Sequence, residues 1–519
     1  MKIFLLFLLV RLASVFLVQT SFVPDEYWQS LEVGHKLVFG QGFLTWEWTR
    51  GVRSYLYPLL VAGIYKILAL LQLDQVELLL LLPRVAQALL SAYSDYRFYK
   101  WTDKSKWGAF VLCTSWFWFY TGSRTLSNTM EASLTVIALS YFPWRKREES
   151  TVFLWFVFIA TFIRPTAIIP WIPLCFHHIK KSNYSAFELL FKRYLPIKLV
   201  VGAALVALDT YFYDKLIITP YEFFKVNVVE GIGEFYGKHP WYWYLNVGLP
   251  TILGITFVPF LFSVIQTLRN YQAYEQRLVL LTSVAVTLSV YSVLPHKEFR
   301  FLLQILPICL YLASDFLSRW SRKASVLVLY VVAITLLVGN LVPAGYLSYV
   351  HQRGTLDVMP VLRRLSSEYK EETGQNAKVL FLMPCHSTPG YSHLHGNATL
   401  RFLKCEPNFN HEQNYLDEAD QFYKDPSKWI RSHIPVHPPS SLPSHLVLFD
   451  VLAPRISDFL STYEPVETVF HADYVSGDNR IGKNVVVYER LDVTGSSKSK
   501  KANKETPKPP EQETVQSEQ

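Results

Sequence analysis

Long apolar runs, separated by short polar segments, dominate the chain up to about residue 345. A helix needs about 20 apolar residues to cross a bilayer, and most of these runs approach that length. The pattern predicts a polytopic α-helical membrane protein with about eleven transmembrane helices. Their predicted ranges are residues 3–19, 77–95, 107–122, 128–143, 151–163, 166–178, 195–213, 246–267, 278–295, 300–317 and 325–343.

The basic residues predict how these spans are oriented. Residues 57–73 are apolar enough to span, but counting them as a span would place the basic loop at residues 144–149 outside the cytosol, against the positive-inside rule. We therefore expect residues 57–73 to lie at the membrane interface as an amphipathic helix. The non-cytosolic side then holds the segments 21–76, 122–128, 164–166, 214–245 and 295–299.

A different periodicity begins after the last predicted span. Residues 355–369 have helical spacing, whereas residues 377–383, 446–450 and 484–489 read as short strands. They predict a small α/β domain on the same side as the large first loop, residues 21–76. The chain thus divides into a transmembrane domain, a non-cytosolic α/β domain and a disordered tail rich in Lys, Ser, Glu and Pro, with boundaries 1–345, 346–492 and 493–519.

Composition narrows the function class. The 519 residues are 50% hydrophobic and carry a net charge of +8, but much of the positive excess lies in short loops and the tail, so nucleic acid is not an expected partner. Five cysteines are too few for a disulfide scaffold, although Cys385 and Cys405 are candidates for one bond in an oxidising compartment. Motifs of nucleotide hydrolysis, serine hydrolases and zinc proteases are missing, and we expect neither a metal nor a cofactor.

The first loop combines carboxylates with aromatic residues at the predicted membrane surface. Asp25 and Glu26 follow Pro24, which on its own is a common helix start. Aromatic residues weaken that interpretation, because they recur beside acids in the same loop, as a site for a sugar-like group requires. The candidate residues for sugar or acceptor binding are Tyr27, Trp28, Trp46, Glu47, Trp48 and Arg53.

A second polar cluster lies tightly between two apolar runs at residues 295–301. Interface anchoring by long basic side chains would explain such a cluster on the cytosolic face. On the opposite face, where basic residues are unusual, His296, Lys297 and Arg300 indicate anion binding. Arg124 and Arg164 are predicted at the same membrane level and are candidates to join them.

One carboxylate group and one cationic cluster suit glycosyl transfer from a lipid phosphate. A phosphate leaving group departs as a stable anion and needs no general acid, unlike the leaving group of a glycosidase, which uses two carboxyl groups. Such a reaction needs one base for the acceptor hydroxyl and positive charge for the phosphate. Asp25 and Glu26 remain alternatives for the base at this point.

The motifs resemble those of a known family. The runs 21–32, 44–50, 53–58, 296–301 and 383–389 are similar to the dolichol-phosphate-mannose-dependent α-mannosyltransferases, and within them to enzymes that add the third mannose to GPI-anchor precursors. The first-loop run and Met-Pro-Cys-His-Ser-Thr-Pro are the more specific parts, whereas His-Lys-Glu-x-Arg-Phe is shared with N-glycan enzymes. The resemblance spans residues 20 to about 490.

The resemblance implies a GT-C fold in the endoplasmic reticulum membrane with a lumenal active site. Dolichyl phosphate mannose would be the donor, a two-mannose GPI glycolipid the acceptor, and the product an inverted α1,2 linkage. By analogy Asp25 is the catalytic acid or base residue, with Glu26 as second choice, and His296, Lys297 and Arg300 meet the donor phosphate. Besides these substrates, the expected partners are endoplasmic reticulum membrane lipids.

Three other functions are weighed against this one. The nearest is a sister enzyme of the N-glycan pathway. A polytopic lipid or solute transporter belongs to another class, but such proteins often show internal repeats and midplane charges, whereas the notable charges here lie at one predicted face. A non-catalytic assembly subunit is the last.

The topology predicts which glycosylation acceptors are used. Asn397 lies in the predicted non-cytosolic domain and should carry a glycan, whereas Asn183 lies in a predicted cytosolic loop and should not. Endoglycosidase treatment should therefore shift the mobility of the wild-type protein and of Asn183→Gln, but not of Asn397→Gln. A glycan on Asn183 with none on Asn397 would overturn the topology.

Overall fold

The computed structural model describes residues 2–144, 149–434, 441–475 and 479–491. Helices form the chain up to residue 349, and a mixed α/β domain follows. The predicted disordered tail, residues 493–519, lies outside the described residues. So does most of the predicted basic loop at residues 144–149.

The helical part is built from short and long helices in close contact. The helices are α1 (Lys2–Leu17), α2 (Glu32–Phe39), α3 (Trp46–Thr49), α4 (Leu56–Leu70), α5 (Val76–Trp101), α6 (Lys106–Thr114), α7 (Trp116–Thr121), α8 (Ser127–Tyr141), α9 (Val152–Ile163), α10 (Trp171–Lys181), α11 (Ala186–Glu188), α12 (Leu195–Tyr213), α13 (Thr219–Phe224), α14 (Leu249–Leu253), α15 (Phe257–Arg269), α16 (Glu275–Val293), α17 (Leu306–Trp320) and α18 (Val326–Tyr349).

Their length and composition make this a multi-pass membrane protein. Among the described residues, five helical segments are long and apolar enough to cross a bilayer: Val76–Trp101, Ala186–Tyr213, Tyr244–Arg269, Glu275–Val293 and Val326–Thr373. The helix α4, in the segment predicted at the interface, is apolar but has only 15 residues. The count of eleven spans stays a prediction.

Several predicted spans are interrupted in the structure. The predicted span 107–122 is divided at Ser115, where the chain turns out of helical geometry between α6 and α7. The predicted span 300–317 begins with the 3₁₀ turn Phe299–Gln304, and α17 continues from Leu306, with Pro307 at the start of the helix. Proline has no backbone N–H, and the first turn of a helix needs no intrahelical donor. The helix α17 therefore begins at Pro307 without losing a hydrogen bond.

A buried ion pair joins the first helix to the bundle. Arg11, in the middle of α1, donates from Nε to Asp95 Oδ2 on α5 at 2.6 Å. Asp95 also accepts from the Trp118 indole, and Arg11 donates to the Trp118 carbonyl oxygen. Since an unpaired charge in an apolar interior is costly, these contacts explain how α1 carries an arginine within the bundle.

The α/β domain contains one mixed five-stranded sheet. Its strands are β1 (Lys378–Leu382), β2 (Thr399–Phe402), β3 (His445–Phe449), β4 (Tyr463–Phe470) and β5 (Asn484–Arg490). The order is β2-β1-β3-β5-β4, with β1 parallel to β2 and β3, and β5 antiparallel to β3 and β4. Its helices are α19 (Gly354–Thr373), α20 (Tyr391–Leu394), α21 (Glu418–Lys424), α22 (Pro426–His433) and α23 (Ser457–Leu460).

The two faces of the sheet bury separate apolar cores. Val379 and Val447 face α19, whose Leu362 lies in the same cluster. The alternate positions along the strands pack instead with α21 and α22, because successive strand residues point to opposite faces. The predicted helix at residues 355–369 and the three predicted strands are confirmed at α19, β1, β3 and β5.

The α/β domain docks onto the first loop through buried polar contacts. The Glu32 carboxylate accepts from the backbone N–H of Ser392 at 2.8 Å. A Cβ at Gly390 would lie 2.8 Å from Glu32 Oε1, so a larger residue there would displace the carboxylate from this contact. His35 Nε2 is 2.8 Å from His395 Nδ1 across the same contact.

The docking contact should depend on pH through Glu32. Burial raises the pKa of Glu32 to about 7, and the N–H of Ser392 only partly offsets this rise. The folded state therefore holds an extra proton between the ordinary carboxyl pKa and about 7, and stability falls as pH rises through this window. Above it the cost is about 3 kcal/mol.

Glu32→Gln keeps the acceptor oxygen and removes this titration. We expect its thermal midpoint to rise relative to wild type as pH increases from 5 to 8 in a fluorescence unfolding assay. A difference between the two proteins that stays constant over this range would contradict the assignment. Glu77→Gln, at an exposed ion pair, is the control.

Candidate active site

A cavity of about 370 Å³ lies between the first loop, the 295–301 segment and the α/β domain. Acids, cations and aromatic residues from all three line it together. The lining residues include Asp25, Trp28, Gln29, Thr45, Trp46, Glu47, Arg53, Arg164, Asn227, Tyr236, His296, Glu298, Arg300, Cys385, His386 and Cys405.

Pro24 determines how the first acids are presented. The backbone N–H groups of Tyr27 and Trp28 donate to the Pro24 carbonyl oxygen, so helical geometry begins there. A wide π-helical turn, Tyr27–Leu31, follows and runs into α2. Because successive helical residues point about 100° apart, Asp25 lines the cavity whereas Glu26 does not.

Asp25 and Arg300 meet in the cavity. Arg300 Nη1 forms an ion pair with Asp25 Oδ2, although 275 residues separate them in the chain (300 − 25). Arg300 Nε also donates to Glu298 Oε2 at 2.7 Å, and His296 Nε2 is 2.9 Å from Glu298 Oε1. Burial alone would raise the pKa of Glu298, but the Arg300 guanidinium and the contact with His296 lower it to about 2. Glu298 is therefore a fixed negative charge that holds Arg300 in place.

Arg53 forms a second cationic group in the cavity. Its Nη2 is 2.7 Å from Glu47 Oε1 and 3.9 Å from Asp25 Oδ2. Gln29 and Thr45 donate to the Glu47 carboxylate at 3.1 Å each. The Asp25 carboxylate consequently lies between the two arginines Arg53 and Arg300.

Arg164 completes the positive lining. It follows α9 and lies 3.1 Å from Glu131 on α8, through its Nε. Its guanidinium carbon also lies 5.8 Å from the centre of the Phe301 ring. The structure thus places Arg164, like Arg300 and His296, in the cavity where the sequence predicted an anion.

The α/β domain closes one side of the cavity. Cys385 and Cys405 are joined by a disulfide, as the sequence suggested for this pair. The ring of His386, beside them, packs at an angle of 60° against Trp28, with 4.5 Å between ring centres. The Trp28 indole donates to the Thr388 carbonyl oxygen at 3.0 Å. Ligand atoms of these two cysteines and His386 lie within 4.8 Å of one another, but disulfide sulfurs are not thiolate ligands.

Two predicted site residues form a separate ion pair. Glu26 Oε2 accepts from Arg124 Nη1 at 2.7 Å, and both side chains are almost fully buried. Arg124 also donates to the backbone carbonyl oxygens of Thr20 and Tyr120. The prediction that Arg124 joins the anion-binding group is wrong for this structure, because its charge is already neutralised outside the cavity. The same contact removes Glu26 from the reacting space.

Lys297 also differs from its predicted role. Its ammonium donates to the backbone carbonyl oxygens of Leu294 and His239, and the side chain is only 3% exposed. Burial lowers the pKa of Lys297. It therefore ties the 295–301 segment to the neighbouring loop, and it does not line the cavity.

Two predicted sugar-binding aromatic residues lie inside the protein. Tyr27 packs edge-on against His393, with 5.1 Å between ring centres. Trp48 is buried with Val33 and Tyr55 in an apolar cluster. Trp28 and Trp46 line the cavity, and their binding of a sugar stays a prediction. Neighbouring residues of a helix point to different faces, so Trp28 and Trp46 reach the cavity whereas Tyr27 and Trp48 do not. The sequence motif alone did not show this difference.

Further lining residues were missed by the sequence. Tyr236 and Asn227 come from the long 214–245 loop, and the hydroxyl of Tyr236 accepts from the Trp46 indole at 2.5 Å. Glu298 lies inside the cationic segment 295–301, but the sequence analysis assigned it no role. Its position between Lys297 and Arg300 was the signal that could have indicated one.

Comparison with known sequences identifies relatives over most of the chain. A family model described as the Alg9-like mannosyltransferase family matches residues 2–395. The chain is 57% identical to GPI mannosyltransferase 3 of Drosophila melanogaster, over 91% of this chain and 84% of that protein. It is 43% identical to GPI alpha-1,2-mannosyltransferase 3 of Homo sapiens, over 93% of this chain and 85% of that protein.

Solved structures show the same fold at low sequence identity. ArnT from Cupriavidus metallidurans bound to undecaprenyl phosphate aligns with a TM-score of 0.57 and 11% identity, over 95% of this chain and 98% of that chain. The apo form of that protein aligns with a TM-score of 0.56. The architecture is therefore that of a GT-C membrane glycosyltransferase.

Proposed function

This chain belongs to the Alg9-like mannosyltransferase family, and we propose that it transfers mannose from dolichyl phosphate mannose to a two-mannose GPI-anchor precursor. The product is an α1,2-linked third mannose. The names of relatives that are 43–57% identical support this acceptor and linkage over those of the N-glycan pathway. The reaction requires no cofactor. We place it at the lumenal face of the endoplasmic reticulum membrane.

One observation carries the chemical part of the proposal: Asp25 and Arg300 share one cavity in direct contact. A transfer from a lipid phosphate needs a base and a phosphate-binding cation within a single sugar's reach. The remaining cations, Arg53 and Arg164, line the same space. Because Arg53 and Arg164 are paired with Glu47 and Glu131, a phosphate that enters the cavity competes with carboxylates for its cations.

Asp25 acts as the base in the proposed reaction. It takes the proton of the acceptor hydroxyl while that oxygen attacks the anomeric carbon of the donor mannose. The bond between this carbon and the phosphate oxygen breaks, and dolichyl phosphate leaves with the electron pair. Attack opposite the leaving group inverts the anomeric configuration. Base catalysis contributes about 10²–10⁴-fold, and electrostatic stabilisation of the leaving phosphate adds to it.

Donor binding would also free the base. Without ligand the Asp25 carboxylate is held by Arg300, so its lone pairs are engaged by a guanidinium. A donor phosphate competes for the same guanidinium, because the planar guanidinium group binds phosphate oxygens in a bidentate manner. Release of Asp25 then couples donor arrival to activation of the acceptor hydroxyl.

The aromatic side chains give the sugars flat surfaces to pack on. Trp28, Trp46 and Tyr236 line the cavity around the central ion pairs. Glu47 lies among them with its oxygens held by Arg53, Gln29 and Thr45. We assign these residues to the mannose groups of donor and acceptor, together with His386 from the α/β domain.

Cells lacking the gene provide the test of the overall proposal. Their microsomes should accumulate a two-mannose GPI lipid when labelled with a mannose donor. Truncated dolichol-linked oligosaccharide instead would indicate the sister pathway. Restoration by the wild-type chain ties the result to this protein.

Substitutions of the neighbouring acids Asp25 and Glu26 give a matched pair of variants. Asp25→Asn should lower kcat by about 100-fold or more, since it removes the base and keeps the shape. Its thermal midpoint should fall less than that of Glu26→Gln, because Arg300 keeps Glu298 as a partner. Glu26→Gln should instead lower stability by about 3–5 kcal/mol, because Arg124 loses its buried partner, and kcat per folded molecule should stay near wild type. Wild-type turnover by Asp25→Asn would reassign the base.

Substitutions of Arg300 and Lys297, in the 295–301 segment, give a second matched pair of variants. Arg300→Ala should lower kcat/KM for the donor about 10- to 100-fold, because the leaving phosphate loses a charged hydrogen-bond donor. Lys297→Met should leave the donor KM unchanged and lower the unfolding midpoint, since Lys297 donates to the backbone oxygens of His239 and Leu294. Steady-state kinetics with varied donor separate the two. An effect of Arg300→Ala confined to the acceptor KM would contradict the assignment.

A further inference from the structure

A second cavity lies on the other side of the segment that carries Asp25. It has a volume of about 150 Å³, well above the roughly 30 Å³ share of one water molecule. The end of α1, the first loop, α5 and α19 surround it. Glu26 and Thr20 line it, whereas Asp25, one residue away, lines the proposed active site.

Three arginines and two acids line this second cavity. Most of these charges are neutralised locally: Arg124 binds Glu26, Arg363 binds Glu77 at 2.8 Å, and Asp357 binds Arg353. Arg84 differs from them. Among the residues that the structure describes, no acid forms an ion pair with Arg84, and its Nη2 donates to the Val18 carbonyl oxygen at 2.7 Å.

Two guanidinium N–H groups at this cavity also lack an acceptor. Within the described part of the chain, the buried Nε atoms of Arg84 and Arg363 have no hydrogen-bond partner. Buried donors are rarely left unpaired, because each loses its hydration without replacement. His393 adds no charge to the site, since burial lowers the pKa of its ring to about 3.

Solvation of its charge alone does not explain the position of Arg84. It lies inside α5, one of the helices apolar enough to span a membrane, about 12 Å from the start of that helix. An arginine there that only served solubility would reach for headgroups or an acid. Instead Arg84 lines the second cavity together with Arg124 and Arg363.

We propose that this cavity binds a phosphate group, held by Arg84 and Arg363 and separate from the donor phosphate at Arg300. A tetrahedral oxyanion supplies the missing negative charge at Arg84 and accepts hydrogen bonds from the guanidinium groups that line the cavity. The ligand class is a phosphate, carried either by a glycolipid headgroup or by the free ion.

The proposed function names a natural source for that group. A glycosylphosphatidylinositol acceptor contains phosphate, and the cavity adjoins the residue that would activate the acceptor hydroxyl. This source rests on the proposed function. Phosphate binding itself does not, because it follows from the unpaired cation and donors.

Binding is tested on the full chain purified in detergent. Thermal unfolding is followed with inorganic phosphate, with micelles containing phosphatidylinositol, and with micelles containing uncharged diacylglycerol. The variant is Arg84→Gln. The matched control is Arg97→Gln, an arginine on the same helix that contacts Ser140 and Tyr141 outside the cavity.

We expect phosphate-bearing ligands to raise the midpoint of wild type and of Arg97→Gln, and to lose this effect in Arg84→Gln. A shift with phosphatidylinositol alone identifies a headgroup, and a shift with inorganic phosphate as well identifies the ion as sufficient. Shifts that are equal in Arg84→Gln and wild type, or absent from wild type in both phosphate arms, overturn the proposal.

Kinetics test the acceptor as the source. Arg84→Gln should raise the KM for the acceptor glycolipid about tenfold, as expected for one charged hydrogen-bonding group, while donor KM and kcat stay at wild-type values. An unchanged acceptor KM in a variant that has lost phosphatidylinositol binding excludes the acceptor as the source. Failure of wild type to transfer mannose would instead refute the proposed function, and leaves the binding result standing.

Discussion

The ion pair between Asp25 and Arg300 is the contact on which the site depends. It joins the beginning of the helical domain to a loop near its end, and thereby defines the cavity between them. Each partner is also held by a second group, Asp25 by Arg53 and Arg300 by Glu298. The charges alternate in sign from Arg53 through Asp25 and Arg300 to Glu298, and these contacts hold the walls of the cavity together.

The low polarity of the protein interior explains why the charged site residues could be predicted from the sequence but not all of their roles. The motifs pointed to Arg124, Arg164 and Arg300 as one group, since each lies near the same predicted face. In an apolar interior each cation first requires a partner, and Arg124 and Arg164 find acids at Glu26 and Glu131. Which acid neutralises which arginine depends on packing between distant helices, and this information is not local in sequence.

The fold shows the same division between local and distant information. The helix α19 and the strands β1, β3 and β5 were predictable, because their apolar residues follow one clear period. The edge strands β2 and β4 were missed. The strand β2 has only four residues, and β4 contains Pro465 beside an irregular register, which an edge position tolerates. Their strand character comes from a neighbour that is already in place.

The contacts of Trp28 with His386 and Thr388 carry a consequence for biogenesis. A ribosome delivers the first-loop residues some 360 positions before the residues that cover them (388 − 28). The Trp28 indole of a nascent chain therefore stays uncovered throughout the synthesis of the membrane helices. The cavity is complete only after the α/β domain has been synthesised and has closed over it.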